Sequence, residues 1–478
     1  MEYREDKIEK PNFVLNRIGY IIRSGIFPRI FVETEIKKKL VAESKDDGYS
    51  VPKSFKLYYE DKVGNLIIPR YFGLNINNPD KISFKYNPKC DFKKFSGELR
   101  ENQTIPAECV MKAFKEKGGG ILSLMTGGGK TMLSLYFIYM LKVKTIVIVP
   151  NIELINQWKQ EAEKFIPGIR VGLIKGKIRD YKDKDLVIGM VNTISMQEFP
   201  QDFFNKFDLL IVDECHRVGS ETFSQCLPKI RTPYTLGLSA TPDRRDGLMH
   251  VVEYYLGPIC YKSENKINSK LPVICELITY RMGGKYAKEL KNYWNGKHNN
   301  AGMINAIAIN PDRNQLIVNV INNILRDKSK ERKILLLTDR KSQIKEIVKL
   351  LSDEVDYAEF TGDQSTVQLN KAKESRILLA TYGIASTGFN LPELNTLILA
   401  TPRKLIEQSI GRILRKQHDI NPLIIDIIDY FSLFIPMGKA RVRFYTENDF
   451  VINHTEIKSE KKQKVTDATK VISDINNI

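Results

Sequence analysis

Short, nearly continuous apolar runs separated by helical stretches constrain this chain more than any other feature. They read ILSLMT (121–126), KTIVIVP (144–150), LVIGMV (186–191), LLIVDE (209–214) and TLGLSA (235–240). Farther on come KILLLT (333–338), RILLAT (376–381), TLILAT (396–401) and LIIDIID (423–429). A run without polar alternation suits a strand buried on both faces of a parallel sheet. Helical segments between such runs make the fold class α/β and doubly wound. The runs fall into two sets alike in pattern but not in sequence, so two parallel-sheet lobes are expected and no fixed-period repeat. The first ~95 residues differ, with short aromatic and β-branched runs punctuated by turn signals. There SFKLYYED, KVGN and LIIPRYFG predict a β-hairpin over 54–73 in a small β-rich N-terminal domain.

The organisation expected is an accessory domain over 1–96, a first lobe over 97–262 and a Lys-, Asn- and Gly-rich connector over 263–311. A second lobe follows over 312–455, then a charged tail over 456–478. The second lobe opens on a helix after Asn310-Pro311, with Ile317, Ile321, Ile324 and Leu325 on one face. At roughly 150 residues per domain, 478 residues suit this division.

The formal charge of +17 and pI near 9.3 point to a polyanionic partner, nucleic acid first, or else to a Lys- and Asn-rich genome bias. The cysteines at 90, 109, 215, 226, 260 and 275 form no C-x-x-C pair, which argues against a zinc or iron–sulfur site. The start MEYREDKIEK lacks the apolar core of a signal peptide. No apolar run reaches the ~18 residues of a membrane span. A soluble intracellular protein, in nucleus or cytoplasm, is the expectation.

Two short segments carry chemistry. Thr126-Gly127-Gly128-Gly129-Lys130-Thr131 lies between the strand-like ILSLM and the helical MLSLYFIYML. Glycines there let backbone N–H groups close around phosphate oxygens, and the helix start adds positive potential. Lys130 would reach the β- and γ-phosphates and the Thr131 hydroxyl would ligand Mg²⁺. Leu124 stands where the strict P-loop pattern has its first glycine. A glycine turn before a capped helix is the structural alternative. The second segment is Asp213-Glu214-Cys215-His216, ending the run LLIVDE. Carboxylates at a strand's carboxyl end sit where ligands bind in such sheets. Asp213 would hold Mg²⁺ and Glu214 would deprotonate the attacking water. A pair of acids alone is as often a polar strand end. The P-loop upstream decides between them.

With these motifs in order, the chain resembles the DExH-box helicases of superfamily 2 over roughly 97–450. The resemblance implies RecA-like lobes, ATP as substrate and Mg²⁺ as cofactor. It implies that Gln103, in Leu99-Arg100-Glu101-Asn102-Gln103, contacts adenine. Pro150 and Asn151, with Gln157 beside Trp158, look like the first nucleic-acid motif, and Thr193 like the next. His216 and Ser239-Ala240-Thr241 look like the elements coupling hydrolysis to lobe movement. In the second lobe Arg340, Gly362 and Thr381 look like backbone contacts. Gly388 lies in a fifth motif, STGFNLP, that has Thr387 and Asn390 where acids are frequent. Gln408-Ser409-Ile410-Gly411-Arg412-Ile413-Leu414-Arg415 matches Q-x-x-G-R-x-x-R without departure. It implies that Arg412 and Arg415, on one helix face, act with Gln408 on the γ-phosphate. A solvated basic face is the alternative for that helix.

Within the superfamily the resemblance is closest to the XPB-like group, which includes phage UvsW-type helicases and the poxvirus transcript-release helicase. SATPDRRDG, Arg313-Asn314 and ATYGIASTGFNLPELNTLILATP carry it. It implies a large DNA virus or phage as source and 3′–5′ movement on DNA, with transcription, repair or replication proteins as partners. An RNA helicase or ribonucleoprotein remodeller, and a nucleic-acid-binding protein with an inactive ATPase fold, stay open. Lys53, Lys56, Tyr58, Tyr59, Arg70, Tyr71 and Phe72 interleave basic and aromatic groups in the N-terminal hairpin. They suit a nucleic-acid strand but more readily a small domain's core.

Overall fold

The computed structural model describes residues 11–43, 54–125, 127–200, 202–216, 225–240, 248–263, 269–293, 296, 298–327, 329–361, 374–385, 391–404 and 406–458. The chain divides into two compact units, Met1–Ser263 and Glu264–Ile478.

In the first unit every apolar run of the first set is a strand. Gly119–Ser123, Thr145–Val149, Leu186–Met190, Leu209–Val212 and Tyr234–Ser239 lie parallel in one sheet. The sheet's order is 178–180, 171–175, 186–190, 145–149, 209–212, 234–239, 119–123, 259–262, with only Ile178–Asp180 antiparallel. Residues on both faces are buried, as the lack of alternation requires. Helices such as Glu101–Glu116, Lys130–Leu141 and Ile152–Phe165 separate the strands.

The N-terminal residues form a five-stranded sheet ordered 59–60, 66–68, 19–22, 13–16, 81–83. The expected hairpin survives in part. Tyr59–Glu60 pairs antiparallel with Leu66–Ile68, but Arg70–Ile76 is a helix. That helix fastens the small sheet to the large one. Arg70 donates to Pro233 O at 2.7 Å, the Tyr71 and Thr235 hydroxyls are 2.7 Å apart, and the Phe72 ring meets Tyr254 edge-on. These basic and aromatic side chains serve packing, and Tyr71 and Phe72 are buried.

Among the described residues the second unit carries seven parallel strands in the order 357–360, 377–381, 334–338, 396–399, 423–429, 274–281, 451–458. Two of these depart from the sequence reading. Ile274–Arg281 falls in the stretch read as a connector, and Val451–Lys458 runs into the expected loose tail. The strand 274–281 is a central one, paired with 423–429 on one side and 451–458 on the other. Its Glu276 accepts from Asn453 Nδ2 at 2.7 Å, and Thr279 Oγ1 lies 2.8 Å from His454 Nε2.

Under this sheet lies a fully buried ion pair. Arg313 grips Asp429 with two N–H···O bonds of 2.7 and 2.9 Å, and neither side chain is exposed. Removing one partner leaves a buried charge uncompensated, which costs about 3–5 kcal/mol. Arg313→Met is therefore expected to lower the unfolding free energy of the second unit by that amount, read as a fall in its denaturant midpoint. Arg313→Met with Asp429→Leu should recover most of it. A single variant that melts like the parent would remove the pair's structural role.

Candidate nucleotide site and nucleic-acid contacts

The phosphate loop follows the strand Gly119–Ser123 and leads into the helix Lys130–Leu141. Gly127 and Gly129 both have φ of +84°, a left-handed backbone that favours glycine. Gly129 is also confined, since a Cβ there would lie 2.1 Å from Gln103 Nε2. At Gly127 the same direction is open, with nothing within 4 Å. Lys130 Nζ donates to Leu124 O at 3.0 Å, curling the ammonium over the loop.

Gln103, expected at adenine, is buried and braces this loop. It accepts from Arg100 N at 3.0 Å and donates to Gly128 O at 3.1 Å. The amide completes a capping box at the start of helix Glu101–Glu116. Both of its polar ends are thus engaged by the protein.

Asp213 and Glu214 follow the strand Leu209–Val212, which lies between 145–149 and 234–239. The Asp213 carboxyl is buried and its pKa is pushed up to about 6, chiefly by desolvation and then by the Glu214 charge. Three groups oppose the rise: the Trp158 indole, whose Nε1 donates to Asp213 Oδ2 at 2.8 Å, the Lys130 ammonium and the Glu214 backbone N–H. Glu214 N donates to Asp213 Oδ1 at 2.9 Å. Glu214 itself has φ of +49°, a strained position for a non-glycine residue and one that recurs at active sites. Its Oε2 is buried without a hydrogen bond, with His216 Nδ1 3.5 Å away. His216 Nδ1 and Ser239 Oγ are 2.9 Å apart and hydrogen-bonded.

This arrangement fits Mg²⁺ and a nucleotide's phosphates. A buried carboxylate with a raised pKa gains from a cation beside it, and the open glycine loop offers space and N–H donors. Thr131 and Asp213 are the residues that would hold the ion. Among the described residues no cluster of three or more His, Cys, Asp or Glu forms a separate metal site.

Of the residues expected to touch nucleic acid, Asn151 caps the helix Ile152–Phe165, its Oδ1 accepting from Leu154 N at 3.0 Å. Pro150 precedes it at the carboxyl end of Thr145–Val149. Thr193 accepts from Gly176 N at 3.0 Å, seating the turn of the hairpin 171–180. Gln157 turns away from that surface, its Nε2 lying 3.4 Å from Thr131 Oγ1. Positions 157 and 158 are about 100° apart on a helix, and both face the phosphate loop and the carboxylates. Trp158 is in the core, as its size suggests, and its bond to Asp213 has no local signature in the sequence.

In the second unit Thr381 ends the strand Ile377–Thr381. The Arg340 guanidinium is held inside its own unit, donating to Asn305 Oδ1, Asp339 O and Ala301 O. Arg313-Asn314 proves to be a bracket. Besides Asp429, Arg313 donates to Ala400 O, while Asn314 accepts from Gln343, whose Oε1 bonds the Thr338 hydroxyl. Gln408 and Arg412 lie on the helix Glu407–Ile413. That helix ends before Arg415, so the two arginines do not share one helical face as expected. Neither is a solvated basic face: Arg412 is buried, and burial lowers the Arg415 pKa to about 10. Arg441 is structural, paired with Asp426 at 2.8 Å beneath Tyr445. Lys53, Thr126, Thr241, Gly362 and Gly388 lie outside the described residues.

The cysteines of the described residues are free thiols. Among the described residues no helix is long and apolar enough to cross a membrane.

Residues 96–244 match the model "Type III restriction enzyme, res subunit" and 315–417 match "Helicase conserved C-terminal domain". A protein of Acanthamoeba polyphaga mimivirus, named a putative ATP-dependent RNA helicase, is 32% identical over 469 residues, 94% of this chain and 88% of that protein. A DNA 3′-5′ translocase of Sulfurisphaera tokodaii is 39% identical over 165 residues, 34% of this chain and 36% of that one. Among solved structures, Saccharomyces cerevisiae Dbp5 bound to RNA and ADP BeF3 matches with a TM-score of 0.52 at 13% identity, covering 78% of this chain and 93% of that one. The chain belongs to the superfamily 2 helicases, ATP-hydrolysing motors that use Mg²⁺ and act on nucleic acid, and its relatives include helicases of large DNA viruses.

Proposed function

We propose that the chain is a translocase that moves 3′–5′ along one strand of DNA and separates duplexes ahead of it. The observation that carries the motor is the bond from His216 to Ser239, which ties the hydrolytic carboxylates to the end of the neighbouring strand. Gly127, Gly128 and Gly129 with the start of helix Lys130–Leu141 hold the phosphates, together with Thr126 of the same loop. Lys130 leaves Leu124 O to pair with them. Thr131 and Asp213 would hold Mg²⁺, which would neutralise charge on the phosphate oxygens. Glu214 takes the proton of the attacking water through its buried Oε2. Gly388 lines the nucleotide, and Gln103 braces the loop that holds it. Arg412, Arg415 and Gln408 supply donors for the charge that develops at the γ-phosphate.

His216, Ser239, Ala240 and Thr241 convert that event into movement. Pro150, Asn151, Thr193, Arg340, Gly362 and Thr381 supply the contacts to a strand's backbone, which carry no sequence information. DNA is favoured by the segment 39% identical to a named DNA translocase. The second reading, RNA, has in its favour the name of the mimivirus relative, which matches nearly the whole chain.

ATP turnover measured at fixed low salt with single-stranded DNA, forked DNA and RNA decides between them. DNA is expected to stimulate most, and a 3′-tailed duplex to open before a 5′-tailed one. Stimulation by RNA alone would transfer the same engine to RNA. Binding should weaken steeply with salt, because each neutralised phosphate releases counterions, with a slope of about −0.7 per contact for single strands. A flat response would refute backbone tracking.

A further inference from the structure

Two adjacent side chains of one helix reach the two groups assigned to Mg²⁺. Trp158 Nε1 donates to Asp213 Oδ2 at 2.8 Å, and Gln157 Nε2 lies 3.4 Å from Thr131 Oγ1. The helix Ile152–Phe165 that carries both leaves the strand Thr145–Val149. That strand is also bonded to the carboxylate's own backbone, Asp213 N donating to Ile148 O at 2.9 Å. Asp213 is therefore fixed three times over: at its N–H, at Oδ2 by the indole, and at Oδ1 by Glu214 N.

The indole is wholly buried. A buried tryptophan N–H needs an acceptor, yet a core tryptophan usually finds a backbone carbonyl or a neutral side chain. Here the acceptor is the carboxylate at the carboxyl end of the sheet. A neutral donor is well suited to this place. It holds one oxygen in a set direction without cancelling the charge that attracts a cation, whereas an arginine or lysine there would compete with the ion. Each carboxylate oxygen retains a further lone pair for the ion. A threonine hydroxyl that accepts from Gln157 likewise keeps one lone pair directed elsewhere.

On the reading that Thr131 and Asp213 hold Mg²⁺, we propose that Trp158 and Gln157 are positioning residues for that ion, with Trp158 the stronger. Neither touches the ion or the nucleotide. Both set the orientation of the groups that do, in the way outer hydrogen bonds orient metal ligands generally. Loss of such a partner weakens metal affinity or activity by about 10–100-fold.

The test has two arms. The chain contains two tryptophans, so Trp294→Phe leaves Trp158 as the sole indole. Titrating that full-length variant with Mn²⁺ and ADP is expected to quench its emission saturably, and Asp213→Ala in the same background should abolish the quench. In the second arm Trp158→Phe should raise the Mg²⁺ concentration for half-maximal ATP turnover about 10–100-fold, and leave KM for ATP at saturating Mg²⁺ little changed. Gln157→Leu should move it in the same direction by less. A structural role alone would lower the amount of folded enzyme without moving the Mg²⁺ midpoint. Unquenched emission at Mn²⁺ levels that support turnover overturns the proposal and leaves the ATPase standing, as does a wild-type Mg²⁺ midpoint in Trp158→Phe. Absence of any Mg²⁺-dependent turnover in the parent chain overturns the proposal together with the reading beneath it.

Discussion

Arg412→Ala is expected to lower ATP turnover by about 10³–10⁵-fold while nucleotide binding stays intact. Arg412 lies on the helix Glu407–Ile413, which follows the strand Thr396–Leu399 and so stands at the carboxyl end of the second unit's sheet, the edge where doubly wound sheets present their ligands. Arg412 is 4% exposed, too buried for a solubilising charge. A charge held there acts in low dielectric and without reorganisation, which is why such arginines have large effects on transition states and small ones on ground states. Arg412→Lys keeps the charge but loses the planar fork, and should recover only part of the rate. Turnover at saturating ATP and nucleic acid, set beside the affinity of a fluorescent ATP analogue, reads both quantities. An unchanged turnover number would remove Arg412 from the reaction.

Glu214→Gln should slow hydrolysis by about 10²–10⁴-fold. The substitution keeps size and shape, so the left-handed turn at 214 and the bond from its N–H to Asp213 can persist. What it removes is the capacity to accept a proton at the buried Oε2, which makes no hydrogen bond of its own. It also removes a negative charge that helps raise the Asp213 pKa, so Asp213 should ionise more readily and Mg²⁺ binding should not weaken. The variant should therefore accumulate bound ATP. Single-turnover hydrolysis separates this from a binding defect, and a rate equal to the parent's would mean that another group is the base.

The strands of the two large sheets were legible because most of them are apolar without interruption. LIIDIID is read to the residue, Leu423–Asp429. ICELITYR, at 274–281, was not legible, although it is equally central. Glu276 and Thr279 interrupt its apolar run, and what makes them acceptable inside a sheet is Asn453 and His454, some 175 residues later. No local pattern reports such partners. The same holds at the site. The glycines, Lys130 and the acidic pair announce themselves by spacing, and motif order singles out His216 and Ser239 without showing the bond that joins them. The inward turn of Gln157 depends on how one helix is rotated over the sheet. Trp158 reads as core because indoles usually are core, and only its acceptor shows otherwise.

The placement of 274–281 also governs the order in which the second sheet can be assembled. A ribosome releases this strand first, yet both of its neighbours, 423–429 and 451–458, come last. The intervening strands can pair among themselves as they emerge, while 274–281 must wait with both edges unpaired. Pairings this distant along the chain are slow to form, because loop closure must be accomplished before any contact stabilises it. The first unit meets no such delay at its core, where 145–149 gains 186–190 and 209–212 in quick succession. During synthesis the nucleotide-binding half can therefore be native while its partner is still an open sheet with an exposed interior strand. In that interval the chain is most open to aggregation and has most to gain from a chaperone.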